Sequence, residues 1–379
     1  MSPVYLDCNA TAPVRPEAAE AVARALMSVG NPSSAHRSGR GARATLEAAR
    51  AQVAALVGGS PARTVFTGGG TEANALAVHS AVAAGSRHLL VSSCEHDCVR
   101  HSAAASGAEV EVWPVDAEGR ADLRWLTDRL NRWDLAADGP PWAALMLANN
   151  ETGVIQPVHV ASGVLHTYGG RLHVDAVQAA GKIAVDMEEL GADTLALSAH
   201  KLGGPQGVGA LVYAAGAPIT RATHGGGQEK GLRAGTENVP GAAGFGAAAD
   251  AARKGLGRLS QQSEWRDEAA RRLVEAAGVT ILGEASKRLP QTLCFAAPGF
   301  GAERQLMALD LEDVMVGAGS ACSSGKVTPS HVLIAMGLDG LAGSALRVSG
   351  GWNTTRADWL RFTEVWLDAH ARWKARRAA

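Results

Sequence analysis

The sequence predicts an α/β fold with a mainly parallel sheet covered by helices, together with a smaller α+β domain. Three observations predict it: a length of 379 residues, short apolar runs that alternate with helical patterns from about residue 64, and a change of pattern near residue 255. A chain of this length suits one large domain and a smaller one. Alternation of buried strands with helices is typical of a parallel sheet.

The strands of the large domain are predicted from short apolar runs. The first run is RTVFTG, and the helix TEANALAVHSAVAAG follows it. The later runs are HLLVSS, AEVEVWPV, WAALMLAN, RLHVDAV, TLALSAH and GALVYAA. Each is short and apolar, as expected of a strand with both faces buried.

The second pattern begins with the charged helical segment KGLGRLSQQSEWRDEAARRLVEAAG, a bridge to a second domain. Three short predicted strands follow: TLCFAA, VMVGAG and ALRVSGG. The last element is the helix TRADWLRFTEVWLDAHARW, for which Asn353 or Thr354 is the expected N-cap.

Composition excludes several classes of protein. The net charge of −1 provides no basic field for nucleic acid or acidic membranes, and the basic tail ARWKARRAA is expected to be a solvated helix end. No run approaches the roughly 18 apolar residues of a membrane span, and the first residues lack the layout of a signal peptide. The five cysteines are few, odd in number and scattered, which predicts reduced thiols and a cytoplasmic protein without disulfides.

Candidate site residues follow the apolar runs, because ligands bind at the carboxyl ends of strands in open α/β sheets. The segment GGGTE, which contains Gly70 and Thr71, predicts a phosphate cradle at a helix N-terminus. A tight turn capped by Thr71 is the alternative. In CEHDC, Cys94, His96 and Cys98 allow a metal site, but no second Cys/His pair stands at a zinc-site distance. His96 could instead stack on a flat cofactor ring or cap a loop.

Three further strand ends carry polar side chains. Asn150 lies in NNETG, and Asp175 ends the run RLHVD, where a buried carboxylate needs a cation or good donors. Helix capping is the alternative for Asp175. Ser198 and Lys201 lie in SAHK, where a buried lysine would serve as a nucleophilic amine. A surface lysine in a loop is the alternative.

The C-terminal part adds a cysteine and an arginine. Cys322 lies in GAGSACSSG, where glycines and serines and no bulky apolar residue surround it, which predicts an exposed, reactive thiol on a mobile loop. Arg347, in ALRVSGG, could hold a carboxylate bidentately or form a structural ion pair.

Taken together and in this order, these segments closely resemble the cysteine desulfurases, pyridoxal-phosphate enzymes of the class-V aminotransferase family. The resemblance is nearly end to end, with the following segments: YLDCNATAPV, GNPSSAHRSG, FTGGGTEANALA, CEH, ANNETGVIQPV, HVDAVQAAGK, LSAHKLGGPQGVGAL, GGGQEKGLRAGTENVPGAAGFG, GAGSACSSGKVTPSHVLIAMG and ALRVSGGWNTT. The cysteine loop is similar to that of the class with a long mobile loop. Cys8 is a departure, since many relatives carry an aromatic residue there.

The resemblance implies the aspartate-aminotransferase-like fold type I and a set of cofactor contacts. Lys201 would form a Schiff base with the cofactor aldehyde, Asp175 would pair with the pyridine nitrogen, and His96 would stack on the ring and move protons. Gln178 would contact the ring hydroxyl. The residues that would hold the phosphate are Gly70, Thr71, Ser198 and His200, with Thr236 reaching it from the second subunit of a homodimer.

The resemblance also implies the reaction and its partners. Asn150 would contact cofactor and substrate, and Arg347 would grip the carboxylate of L-cysteine. Cys322 would take the sulfur as a persulfide, release L-alanine and pass the sulfur to an acceptor such as an iron–sulfur scaffold. No resident metal is expected, although Cys322 could be a transient cluster ligand shared with that scaffold. Nucleic acid and membrane are not expected partners.

The implied domain division is residues 15–255 for cofactor binding, with 1–14 and 256–379 as a small domain that carries the cysteine loop. Selenocysteine lyase remains an alternative activity, because both reactions use the same apparatus. An aminotransferase needs no nucleophilic cysteine, and a non-catalytic scaffold need not keep both Lys201 and Cys322. A nucleotide-binding module lacks support, since no G-x-G-x-x-G unit follows a strand.

Overall fold

The computed structural model describes residues 3–319 and 329–378. The strands in this part are β1 (Val4–Tyr5), β2 (Thr64–Thr67), β3 (His88–Ser92), β4 (Glu109–Trp113), β5 (Trp142–Ala144), β6 (Arg171–Asp175), β7 (Thr194–Ser198), β8 (Gly209–Tyr213), β9 (Thr280–Ile281), β10 (Thr292–Ala296), β11 (Val314–Met315) and β12 (Ala345–Ser349).

The helices in the same ranges alternate with the strands of the large sheet. They are α1 (Pro16–Leu26), α2 (Arg37–Leu56), α3 (Gly70–Ala83), α4 (Asp97–Ala104), α5 (Leu123–Leu130), α6 (Leu135–Asp138), α7 (Val158–Thr167), α8 (Met187–Leu190), α9 (Val239–Lys254), α10 (Leu256–Ser260), α11 (Gln262–Ala277), α12 (Ala302–Asp310), α13 (His331–Ala335), α14 (Asp339–Ala342) and α15 (Arg356–Ala378). Short 3-10 helices cover Pro61–Arg63, Ala199–Lys201 and Glu229–Gly231.

The large sheet has seven strands in the order β2-β8-β7-β6-β5-β3-β4. Strand β8 is antiparallel to both neighbours, and the other pairs are parallel. The predicted α/β fold with a mainly parallel sheet is therefore confirmed. Strands β5 and β7 are buried along their whole length, which explains why their sequences read as continuous apolar runs.

The C-terminal segment forms smaller sheets. Strand β10 pairs antiparallel with β9 and β12, and β1 pairs parallel with β11 through Val4 and Val314. The N-terminal residues thus lie against the C-terminal part of the chain. A second apolar core lies here, with Phe295 and Trp366 in edge-to-face contact between β10 and α15.

Two details differ from the sequence prediction. The charged segment after residue 254 is divided into α10 and α11, because Gly255 ends α9 and Gln261 separates the next two helices. The expected cap of α15 by Asn353 or Thr354 is wrong. The Thr355 backbone N–H donates to the Asp358 carboxylate at 2.7 Å, and the Asp358 N–H donates back to the Thr355 hydroxyl at 3.4 Å. This reciprocal pair forms a capping box one residue later.

Strands β3, β5, β6 and β7 are parallel, so their carboxyl ends meet at one edge of the large sheet. In the ranges that the structure describes, no helix is both long and apolar enough to cross a bilayer.

Candidate active site

A cavity of about 280 Å³ lies at the carboxyl edge of the large sheet. Residues from the small sheets close its other side, among them Arg347 of β12. The cavity brings together most of the residues predicted from the sequence: Gly70, Thr71, His96, Asn150, Asp175, Gln178, Ser198, His200, Lys201 and Arg347.

One wall is the N-terminus of α3. Gly70 is the first residue of this helix, and a Cβ there would lie 2.9 Å from Val177 Cγ2 and 3.3 Å from Ser198 Cβ. Glycine is therefore required sterically, and the free N–H groups of the first turn lie beside the cavity as an anion site. The alternative of Thr71 as helix cap is wrong, because Gly69 is the N-cap residue.

Lys201 follows β7 in a short 3-10 turn and lines the cavity. Its Nζ donates to the backbone carbonyls of Asn9 at 2.7 Å and Ala10 at 2.8 Å. Two carbonyls thus hold the amine in one place, and the alternative of an unconstrained surface lysine is wrong.

Asp175 ends β6 and is buried. Its Oδ2 accepts from Asn74 Nδ2 at 2.8 Å, and its Oδ1 accepts from the Val177 N–H at 2.9 Å. Burial raises the pKa of Asp175, although the Val177 hydrogen bond, His96 and the other neighbours act in the opposite direction. A cationic group bound in the cavity would relieve the cost of this buried charge.

A hydrogen-bonded chain continues behind Asp175. Asn74 Oδ1 contacts His173 Nε2 at 2.8 Å, and His173 Nδ1 contacts Thr194 Oγ1 at 2.8 Å. Burial lowers the pKa of His173 to about 3, so the imidazole is neutral. An amide oxygen only accepts, so Nε2 carries the proton and fixes the Asn74 amide with its N–H toward Asp175.

His96 caps α4, with its Nδ1 accepting from the Cys98 N–H at 3.1 Å. Burial lowers the pKa of His96, so the neutral ring faces the cavity. The neighbouring cysteines are thiols, because burial raises the pKa of Cys94 and of Cys98 to about 12. Residues 3–319 and 329–378 contain no group of three or more side chains placed to bind a metal, at CEHDC or elsewhere.

Arg347 combines an ion pair with an unused donor. Its Nη2 lies 2.6 Å from Asp7 Oδ1, and its Nη1 donates to the Asn150 carbonyl at 3.3 Å. Its Nε is buried and finds no hydrogen-bond partner among residues 3–319 and 329–378. Such an orphaned donor at a cavity wall suits a bound carboxylate.

Gln178 and His200 complete the cavity. Gln178 Nε2 donates to the Asn9 carbonyl at 2.8 Å. His200 Nδ1 lies 3.2 Å from Thr11 Oγ1, and burial, together with Lys201 and Lys182, lowers the pKa of His200 to about 4. The ring is therefore neutral at physiological pH.

Sequence reasoning missed three groups that hold these side chains. Asn9 and Lys182 lie inside YLDCNATAPV and HVDAVQAAGK, but their spacing does not distinguish them from loop residues. His173 could have been found, because it precedes Asp175 by two residues and so shares its face of β6.

Of the two remaining predicted residues, one lies outside the cavity of its own chain and the other is not in the described part of the chain. Thr236 is exposed and does not line the cavity of its own chain. Cys322 lies outside the described residues, as does its predicted mobile loop. The described residues on both sides border the cavity, because Gly317 exchanges backbone hydrogen bonds with Arg347 and His331 is a lining residue.

Comparison with known proteins assigns this fold and cavity. Residues 4–362 match the aminotransferase class-V family, to which the chain belongs, within its cysteine desulfurases. A cysteine desulfurase of Cereibacter sphaeroides is 40% identical over 377 residues, covering 96% of this chain and 95% of the relative. Cysteine desulfurase IscS of Dictyoglomus turgidum is 39% identical, covering 94% and 91%.

A solved structure gives the same assignment. The NifS-like protein of Rickettsia africae superimposes with a TM-score of 0.90 at 30% identity, covering 98% of this chain and all of that one. The chain is thus a pyridoxal-phosphate-dependent enzyme, and its cavity fits that cofactor. The α3 N-terminus offers a phosphate cradle, Asp175 a buried carboxylate for a pyridinium, and Lys201 an amine for an aldehyde.

Proposed function

We propose that this enzyme removes sulfur from L-cysteine to give L-alanine, with each cavity residue in the role that the sequence predicts for it. One observation supports this most: the Lys201 amine and the buried Asp175 carboxylate share a cavity with the orphaned Arg347 Nε. Bound pyridoxal phosphate supplies an aldehyde for amines and an electron-withdrawing ring. Lys201 holds the cofactor and, when freed, moves the substrate proton.

The remaining residues bind and orient. Arg347 grips the substrate carboxylate while Asn150 lies beside it. The α3 N-terminus, Ser198 and His200 hold the phosphate, since neutral donors suit an anion. His96 would cover the ring of the bound cofactor and exchange protons through Nε2, since its Nδ1 accepts from the Cys98 N–H. Gln178 fixes the ring hydroxyl.

Cys322 is the proposed nucleophile. Its thiolate forms an S–S bond with the substrate sulfur as the Cβ–Sγ bond breaks, and the substrate carbon takes a proton. Burial raises the pKa of each of the other cysteines to about 12, so they are thiols at neutral pH: Cys8, Cys94, Cys98 and Cys294.

The wider setting is part of the proposal. Residues 15–255 form the cofactor domain, with 1–14 and 256–379 as the small domain. The enzyme is a cytoplasmic homodimer in which Thr236 serves the partner subunit's phosphate site, which its exposed position supports. The persulfide passes to an acceptor such as an iron–sulfur scaffold, with Cys322 as a transient cluster ligand.

Two substitutions test the chemistry. Lys201→Ala should abolish the visible absorption of the bound cofactor. Cys322→Ala should keep that absorption and its change with L-cysteine, yet release alanine at least about 100-fold more slowly and carry no persulfide. The matched control, Cys294→Ala, should retain turnover. Alanine release at the parent rate from Cys322→Ala would instead indicate a lyase that needs no cysteine nucleophile.

A further inference from the structure

We propose that Lys182 is a positioning residue of this active site, which holds the Gln178 amide and the Asn9 segment that together place the Lys201 amine. The inference rests on the proposed function, because it concerns how Lys201 and Gln178 meet the cofactor. Lys182 lies in the turn after β6 and is only 5% exposed.

The contacts of Lys182 are two uncharged amide oxygens. Its Nζ donates to Gln178 Oε1 at 2.5 Å and to Asn9 Oδ1 at 2.8 Å. A lysine buried against neutral acceptors costs stability, since neither amide offsets its positive charge as a carboxylate would. A lysine at such a cost is expected to have a role beyond packing.

The first consequence is the orientation of Gln178. Because Lys182 only donates, it holds Oε1 and turns the amide nitrogen away from itself. That nitrogen uses one hydrogen on the Asn9 carbonyl, at 2.8 Å, and the other is available at the cavity wall. Without the Lys182 amine the amide could rotate and present its oxygen instead.

The second consequence reaches Lys201 through Asn9. The Asn9 carbonyl accepts from both Gln178 and Lys201, and its side chain accepts from Lys182. Asn9 is 1% exposed, and its N–H and amide nitrogen bond to Ser349 and Asn150. Asn9 is therefore fixed by hydrogen bonds at its backbone and at its side chain. The Lys201 amine donates to its carbonyl oxygen, and the Lys182 amine donates to its Oδ1.

Charge adds to this geometry. Burial, and next the neighbouring Lys201, lower the pKa of Lys182 to about 7. The two amines repel each other when both are charged. The other titratable or charged groups that act on one or both of them are Cys8, His96, Asp175, His200 and Arg347. Asp7 lies behind this set and pairs with Arg347.

The test is a pH titration of the visible absorption of the holoenzyme, with the rate of cofactor loss in a chase as second readout. Lys182→Met removes the amine at similar length. We expect the absorption midpoint to rise, because a nearby positive charge is lost, and the cofactor to dissociate about tenfold faster. Lys182→Arg keeps the positive charge, so its absorption midpoint should lie close to that of the parent. The control Lys287→Met, at an exposed position, should have the parent's midpoint and rate of cofactor loss.

A purely structural lysine gives a different result. If Lys182 had only a structural role, Lys182→Met would unfold at a lower temperature but would keep the parent's absorption midpoint and rate of cofactor loss. That result would overturn the inference. Should Lys182→Met not fold, Lys182→Gln keeps a donor without the charge and should raise the midpoint in the same way. Lys201→Ala in the same series tests the proposed function: if it keeps the parent spectrum, the proposed function fails, whatever Lys182 does.

Discussion

At the scale of single residues, the buried imidazole of His173 orients the Asn74 amide, which in turn holds the Asp175 carboxylate. The ring stacks on Trp142 at 5.9 Å, and its Nε2 fixes the Asn74 amide that donates to Asp175. Burial lowers the pKa of His173 to about 3, so this orientation persists throughout the physiological range.

The same burial predicts a dependence of stability on pH. As the pH falls below the usual histidine pKa of about 6.5, His173 becomes protonated in the unfolded chain. In the folded protein it stays neutral until the pH reaches about 3. Stability contributed by His173 is thus present above this window and is lost as pH falls through it, by up to about 1.4 kcal/mol per unit. His173→Gln should flatten the loss, measured by urea unfolding of the holoenzyme at pH 7 and about pH 5.

The control for this prediction is His101→Gln, at an exposed position of α4. It should keep the parent's pH dependence. An equal loss of stability in the parent and in His173→Gln would show that other groups account for the acid sensitivity.

Which residues line the cavity could be predicted where a polar group stands at the end of an apolar run. Asp175 ends β6, Lys201 lies in the 3-10 turn after β7, and both line the cavity. Lys182 and Asn9 could not be found in this way, because their contact joins positions 173 residues apart. Only the folded chain brings the N-terminal segment against the turn after β6.

At the scale of elements, a buried ion pair joins α2 to the segment before Thr236. Arg50 and Glu229 are each 2% exposed at their side chains and meet through two contacts, at 2.5 and 2.9 Å. Glu229 Oε2 also accepts from the Phe66 N–H of β2. Glu229 and Lys230 have φ values of 47° and 59°, a left-handed backbone that needs such an anchor in non-glycine residues.

Removal of one partner should therefore be costly. Glu229→Ala leaves the buried Arg50 with the half-exposed Glu47 as its remaining ionic partner, at 3.1 Å, so the free energy of unfolding should fall by about 3 kcal/mol. The double variant Arg50→Met/Glu229→Leu should recover most of that loss, because no buried charge remains. Urea unfolding measures both, with the exposed Glu264→Ala as control. A loss below about 1 kcal/mol for Glu229→Ala would mean that water reaches Arg50.

The type and order of elements could be predicted more reliably than their ends. Every predicted strand of the large sheet is present. Most of them are buried and therefore leave a continuous apolar run, whereas the edge strand β4 alternates between charged and apolar residues and is partly exposed. The helix caps depended on local contacts that the pattern does not fix. Thr355 rather than Thr354 caps α15, since Thr354 instead accepts from the Gly351 N–H at 2.8 Å.

At the scale of the whole molecule, the site of one chain is incomplete if Thr236 acts on a phosphate. Thr236 is exposed and outside its own cavity, on a segment anchored by Glu229. A second copy that presents the same segment to this cavity would complete both sites at once, as a two-fold dimer does. This arrangement leads to a complementation experiment.

Mixing a Thr236→Glu chain with a Lys201→Ala chain should restore activity. Each chain alone gives two damaged sites, since added negative charge repels phosphate or the amine is missing. In the heterodimer, one site is doubly damaged and the other has Lys201 from one subunit and Thr236 from its partner. Random pairing makes half of the dimers mixed, so about one quarter of all sites should be intact.

The control mixes Lys201→Ala with Asp175→Ala, two changes that lie in the same cavity of one chain. Every site of that heterodimer keeps one damaged residue, so no activity should return. Recovery in the first mixture alone means that the two chains exchange a residue across the interface. The prediction is wrong if neither mixture recovers activity, or if sedimentation shows a fully active monomer. Thr236 would then lie outside the phosphate site, and the α3 N-terminus, Ser198 and His200 would form the complete phosphate cradle.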